Sequence, residues 1–445
     1  MCINRLVGTL IVLVASGSTA KSADLLEVLQ LSAQHDPELQ AAIYEYEAAK
    51  ESVPQAKANL FPDLRLSYEY LETDQDIKSS DNTVFGSGST SFPTKSFGAV
   101  LTQPIFRFGD WQALKQSHAK VAQAVADLSA ARQSHLLRVS QTYLGVLAAE
   151  DDLEFAQAER VAVESQLNLA TRRRQSGLAT RTDEYDAKAR YSLITSNEIA
   201  AENRLDDARQ ALLVTSGVLI LDLDPLAAQI SLDMPDPPTV ETWVQQSIEQ
   251  NLSLEARRQA VQVAEKEIRR QKSGHYPTLD LVVSLDNRDT DGTLFGGGSE
   301  VERADIAVQF NLPLFEGGAT RSRVRQATFE YRQAMQEMKL EQLQVSREAR
   351  SSFLGVISGV SKVQALDDSV TAQQSALEAK RRGYESGINT ALHVLDAERD
   401  LYLIKRDYAQ SRYDYLLSML RLKNSAGVLT ESDLDKINRM LTTRE

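Results

Sequence analysis

The chain has 445 residues, with 49 Lys and Arg against 62 Asp and Glu and a formal net charge of −13. That acidic balance argues against a nucleic-acid partner, which selects a basic stripe. Aromatic residues make up only 6%, while Ala, Gln, Glu and Arg are abundant, a composition that favours long helices over a thick sandwich core.

Residues 1–20 carry Arg5, an apolar run from Leu6 to Ala15, and Ser18 and Ala20 at signal-peptidase spacing, so they are expected to be an export signal. The run is shorter than the ~20 residues of a spanning helix. Cys2, the only cysteine, precedes that run and is misplaced for lipid attachment. The mature chain would therefore hold no disulfide and no thiolate metal site.

A short helix is expected over Leu25 to Gln34. A second starts at Asp36 and Pro37 and runs to about Asn59, with Pro54 kinking or ending its regular part. From Asp63 the period becomes two, with Leu64, Leu66, Tyr68 and Tyr70 opposite Arg65, Ser67 and Glu69, which predicts a strand over about 63–72. The polar segment Thr73 to Lys95 reads as a loop, and a second strand covers about 97–104. Between Pro104 and Pro225 there is no proline. After a break at Gly109, a helix is expected over about 110–176, roughly 100 Å at 1.5 Å per residue, closed by Gly177. Its narrow apolar stripe cannot form a globule alone and needs lateral neighbours. A return helix, Thr182 to Ser216, ends at Gly217, and the proline-rich stretch 218–240 is an irregular link.

The programme then repeats. Ser176, Gly177, Thr180, Asp186, Ala187 and Gly217 reappear as Ser386, Gly387, Thr390, Asp396, Ala397 and Gly427, all at an offset of 210. Asn251-Leu-Ser-Leu matches Asp36-Pro-Glu-Leu, and Tyr276-Pro-Thr-Leu matches Phe61-Pro-Asp-Leu, at an offset of 215. Strands are expected over about 278–288 and 301–312, with a Gly-rich loop at Gly296 to Gly298 between them. A long helix follows over about 319–386, and Pro313-Leu-Phe-Glu-Gly-Gly answers Pro104-Ile-Phe-Arg-Phe-Gly. The reading divides the chain into repeats 21–217 and 241–427, the linker 218–240 and the tail 428–445.

Each strand has one apolar and one polar face at a length that suits a transmembrane barrel. The pattern alone fits a soluble sandwich equally well. Four strands cannot close a membrane barrel, so a spanning sheet requires several chains. The fold class expected is mainly α with a β-barrel part, internally duplicated. Phe106, Phe108, Trp111 and Phe315 suit either an interfacial girdle or packing at the strand-helix junction.

This ordered set, together with Tyr384 to Asp396, resembles the TolC-like outer membrane efflux proteins over essentially the whole mature chain. Leu429-Thr-Glu-Ser-Asp-Leu resembles the subgroup that serves type I secretion. The resemblance implies a homotrimer with a twelve-stranded outer membrane barrel in lipid, continued by a periplasmic α-helical barrel. The middle link and the tail would form an equatorial belt. It also implies work with a periplasmic adaptor protein and an inner-membrane transporter, passing substrate outward without catalysis. Gly177 and Gly387 would sit at the periplasmic hairpin tips, where the adaptor docks. Carried over by position, the gate residues are Tyr384 and Asp396, with Thr182 and Asp183 as their partners on the first hairpin. This chain departs at two positions: Asn389 replaces an Arg, and His393 replaces an acid. A His at a threefold constriction would change the ring's charge between about pH 5 and 8.

No cofactor or catalytic metal is expected, since His35, His118, His135 and His275 lack spacing such as HExxH. No nucleophile, base and orienting acid stand out, so the chain is not read as an enzyme. The rival reading is an exported coiled-coil adaptor or periplasmic spacer without a membrane barrel.

Overall fold

The computed structural model describes residues 22–79, 88–292 and 297–442. The expected signal, residues 1–20, and Gly296 of the Gly-rich loop lie outside the described residues. The elements in order are α1 (Leu25–His35), α2 (Pro37–Lys50), α3 (Ser52–Ala58), β1 (Asp63–Ile77), β2 (Gly88–Arg107), α4 (Phe108–Gln175) and α5 (Arg181–Ser216). They continue with α6 (Val240–Gln250), α7 (Leu252–Lys272), β3 (Thr278–Thr290), β4 (Ser299–Asn311), α8 (Ala319–Glu385), α9 (Ala391–Ser425) and α10 (Glu431–Asn438).

Two compact units emerge, and each draws on both repeats. One holds residues up to Gln40, Arg132–Val244 and Glu348 onward; the other holds Ala41–Ala131 and Gln245–Arg347. In the first unit, α1, the stretch after α5 and the tail around α10 share one core with α4, α5, α8 and α9. Val28, Tyr143, Leu212, Leu223, Phe353 and Leu434 are buried in it. Short β-bridges tie Ala23 to Leu223 and Leu226 to Leu441, and the Tyr143 hydroxyl donates to the Asp224 carbonyl at 2.9 Å. Asp36, the residue between α1 and α2, is buried. It accepts from the Glu38 amide at 2.9 Å and from Arg138, and it lies 2.7 Å from His135 Nδ1. Burial works to raise its pKa. The bonds from Arg138, His135 and Glu38 outweigh that and hold the carboxyl below its ordinary range.

In the second unit the strands form one antiparallel sheet in the order β1-β2-β3-β4. The register aligns the alternating residues: Leu66 faces Ala99, Ala99 faces Leu285, and Val283 faces Ile306. Directly opposed residues share a face, so the apolar sets of all four strands lie on one side. That side is uncovered in the single chain, with Leu66 68% and Ile306 79% exposed. The outer edges of β1 and β4 have no strand partner among the described residues. No described helix is long and apolar enough to cross a membrane.

Several boundaries differ from the sequence expectation. Most of the expected loop Thr73 to Lys95 is strand, paired from Thr73↔Phe92 out to Ile77↔Gly88. Its Ser and Thr residues lack an apolar alternation, but the ladder is made by the backbone and needs none. Pro93 lies just past the last β3 partner, Thr94↔Thr290, at a position where a missing N–H is tolerated. β2 also runs through Pro104 to Arg107, absorbing the proline in a register shift between Pro104 and Phe106. Gly109 breaks nothing, since α4 begins at Phe108. The expected helix to Asn59 is two, α2 and α3, interrupted at Glu51 just ahead of Pro54.

Candidate functional site

Local rules build two matching turns. α4 ends in Arg172, Arg173 and Arg174, which complement the negative end of its dipole. Gly177 then takes φ +76°, and the Leu178 amide donates to Arg173 O at 2.8 Å. In the second copy Gly387 takes φ +78°, and the Ile388 amide donates to Gly383 O at 2.8 Å. Such left-handed closures favour glycine, which explains why both copies keep it.

The helices that leave the turns begin differently. Thr180 caps α5, with Asp183 three residues in accepting from the Thr180 amide at 2.9 Å and from its hydroxyl at 2.8 Å. This reciprocal box holds the Asp183 carboxyl below its ordinary pKa, chiefly through the backbone bond. Thr390 stands at the same position before α9 but makes no side-chain cap bond. The residue three positions on is His393, whose amide reaches only the Thr390 carbonyl, at 3.2 Å. His393 therefore occupies the position of Asp183, and the second turn loses the acid that ties the first.

Beside the turns, α4, α5 and the start of α9 border a cleft of about 690 Å³ whose lining includes Leu169, Arg173, Ala187, Arg190, Tyr384 and Leu395. Arg190 on α5 donates to Asp396 on α9 at 2.8 Å, and Arg399 lies 3.8 Å from the same carboxylate. The Arg190 bond is the main cause that holds the Asp396 carboxyl below its ordinary range. Arg381 pairs with the buried Glu398 at 2.6 Å, bracing α8 against α9. Leu377, Val394, Ala397 and Leu401 form a small apolar cluster against which Tyr384 packs.

The expected gate residues are distributed as follows. Asp396 turns to Arg190 within the same chain. The guanidinium of Arg173 lies over the Tyr384 ring, 4.9 Å from its centroid, and the Tyr384 hydroxyl makes no hydrogen bond among the described residues. Thr182 and Asp183 are exposed, the latter engaged with Thr180. Asn389 folds back on its own turn, its side-chain amide donating to Lys380 O at 3.3 Å. His393 is exposed. Sequence reasoning missed Arg173, Arg190, Arg381 and Glu398. One signal existed for Arg190: at the offset of 210 it corresponds to Asp400, so the copies carry opposite charge there. No group of residues suited to a metal ion occurs among the described residues.

Residues 28–218 and 243–428 match the profile of a family described as outer membrane efflux protein. The chain belongs to that family. It is 31% identical to the outer membrane protein TolC of Vibrio cholerae over 95% of this chain and 94% of that protein. It is 29% identical to the proteases secretion protein PrtF of Dickeya chrysanthemi over 95% and 92%. Among solved structures, the Campylobacter jejuni CmeC outer membrane channel superposes with a TM-score of 0.77 at 16% identity, covering 94% of this chain and 90% of that one. VceC of Vibrio cholerae superposes with a TM-score of 0.74 at 18% identity, covering 91% and 96%. The fold is thus that of the outer membrane channels, and the chain is an outer membrane protein with a part extending into the periplasm.

Proposed function

We propose that this chain is an outer membrane exit duct that receives substrate from a transporter and adaptor complex and releases it outside the cell. The observation that carries this is the sheet, with two edges that have no strand partner among the described residues and an uncovered face that carries the apolar residues of all four strands, in a member of this family. Four strands are too few for a membrane barrel, and three copies joined edge to edge supply twelve, within the known range. The apolar face then meets outer membrane lipid. An adaptor or spacer without a barrel leaves that face exposed to water, so this rival is not favoured.

The relative PrtF is by name a protease secretion protein, and BepC of Brucella suis an outer membrane efflux protein, which supports service in both type I secretion and efflux. As a conduit the protein is not an enzyme. Residues 1–20 act as its export signal, and 218–240 with 428–445 form a belt around the helical part. The turns at Gly177 and Gly387 dock the adaptor, and Thr182, Asp183, Tyr384, Asn389, His393 and Asp396 surround the constriction. Purified in detergent, the protein should run as a heat-modifiable trimer and form channels in planar bilayers. A monomer at every temperature that forms no channels would refute the reading.

A further inference from the structure

The duplication allows one corner of the sheet to be compared with its counterpart. In the first copy, Pro104-Ile105-Phe106 belongs to β2, which has a strand on each side. Past the register shift, Phe106 stands opposite Leu279 and Arg107 opposite Thr278, so β2 pairs to the very start of β3. Leu279 has Phe106 on one side and Phe310 on the other and is half-buried.

In the second copy, Pro313-Leu314-Phe315 follows β4, an edge strand. Pairing stops at Asn311, and the chain runs on without regular structure until the turn at Gly317. Leu314 and Phe315 are 88% and 89% exposed, beyond any other large apolar side chain described. The counterpart of Leu279, at the offset of 215, is Leu64 on the other edge strand. Leu64 pairs only with Leu101 and is 65% exposed.

Phe315 therefore lacks what Leu279 gives Phe106, and Leu64 lacks what Phe106 gives Leu279. They lie on opposite edges of one sheet and cannot pair within a chain. Both are at the same end of it, since β1 starts and β4 finishes where β3 starts: Thr278, the first residue of β3, faces Asn311, the last of β4. Edge pairing of β4 with β1 of another copy is antiparallel and brings them together.

We infer that Leu312 to Glu316 form the closing segment of the subunit interface, extending β4 along β1 of the next copy with Phe315 opposite that copy's Leu64. This rests on the trimeric duct reading. Pro313 corresponds to Pro104, so the register shift that admits the first proline is repeated between copies. The loop seen in the single chain becomes strand on assembly.

Directly opposed strand residues have Cβ atoms about 4.5–5.5 Å apart, close to disulfide reach. In a Cys2→Ser background, the full-length trimer carrying Leu64→Cys and Phe315→Cys should oxidise to a covalent trimer that reductant returns to monomers. Each single variant should give no such product, and Leu66→Cys with Phe315→Cys, one strand repeat out of register, should give several-fold less. Phe315→Ala should lower the temperature at which the trimer dissociates. An intact trimer that does not cross-link through Leu64→Cys and Phe315→Cys, or that links better through Leu66→Cys, overturns the inference and leaves the duct reading standing. Absence of a trimer in the unmodified protein overturns both.

Discussion

Arg190 on α5 and Asp396 on α9 meet at 2.8 Å, joining the first helical hairpin to the second beside their turns. Both side chains keep solvent contact, so the pair is worth only about 0.5–1 kcal/mol. That still shifts a two-state opening equilibrium several-fold. Arg190→Ala should raise the frequency or duration of open events in single-channel recordings by roughly that factor, and exchanging the charges in Arg190→Asp with Asp396→Arg should restore closure. Unchanged gating in Arg190→Ala sinks the idea that this pair holds the tip.

The pair's pH response follows from sign. A carboxyl held below the ordinary 3.8 contributes its stabilisation above that value and loses it as pH falls through the lowered one. The Arg190–Asp396 link should therefore be constant between pH 5 and 8. Any change in conductance across that window should survive Asp396→Asn and vanish in His393→Ala. Loss of the response in Asp396→Asn, with His393→Ala unaffected, would contradict this.

His393→Asp should rebuild at α9 the capping box that Thr180 and Asp183 make at α5. The expected gain is about 0.5–1 kcal/mol, from the cap and from an acid at the positive end of the helix dipole. Amide hydrogen exchange around residues 390–396 should slow by roughly three-fold, a ratio set by that energy. Exchange no slower than in the native chain counts against the comparison of the two turns.

Asp36→Asn removes the carboxylate shared by His135 and Arg138 in a buried setting. The loss should be about 1.5–3 kcal/mol, because the charge-assisted bonds that Arg138 and His135 make to a buried carboxylate are weakened. Since the folded pKa of Asp36 is depressed, the native protein should keep this stabilisation above the ordinary carboxylate value and lose it in stronger acid. Thermal unfolding of native and variant chains at pH 7 and pH 3 should show a gap that narrows in acid. A gap that widens in acid contradicts the assignment.

Gly217→Ala and Gly177→Ala should differ although both glycines are left-handed. At Gly177 an added Cβ meets nothing within 4 Å, so the cost is the backbone term alone, about 1–2 kcal/mol. At Gly217 it would collide with Cβ of His35, the last residue of α1, which forces the end of that helix to shift as well. Melting temperatures should rank native, Gly177→Ala, Gly217→Ala from highest to lowest, and the reverse order of the variants would refute the packing argument.

Much of the fold was legible because its signals are local. The offset of 210 locates four glycines, Gly177, Gly217, Gly387 and Gly427, and all four have positive φ. The period-two runs at Leu64 and Leu279 gave the strand starts and faces, and the absence of proline gave α4 its length. The site was less legible. Position alone paired Tyr384 with Thr182 and Asp183, whereas within the chain Arg173 covers the Tyr384 ring and Asp183 caps its own helix.

The sequence by itself determined the duplication, the helix ends and the two faces of the sheet, since each follows from residues a few positions apart. Tertiary structure decided how far β1 and β2 extend, because a partner backbone supplies ladder bonds whatever the side chains. It also decided that Asp36 is buried against Arg138 and His135 and that Asp396 faces Arg190. Which charges meet depends on how helices far apart in sequence are brought side by side, and no local pattern encodes that distance.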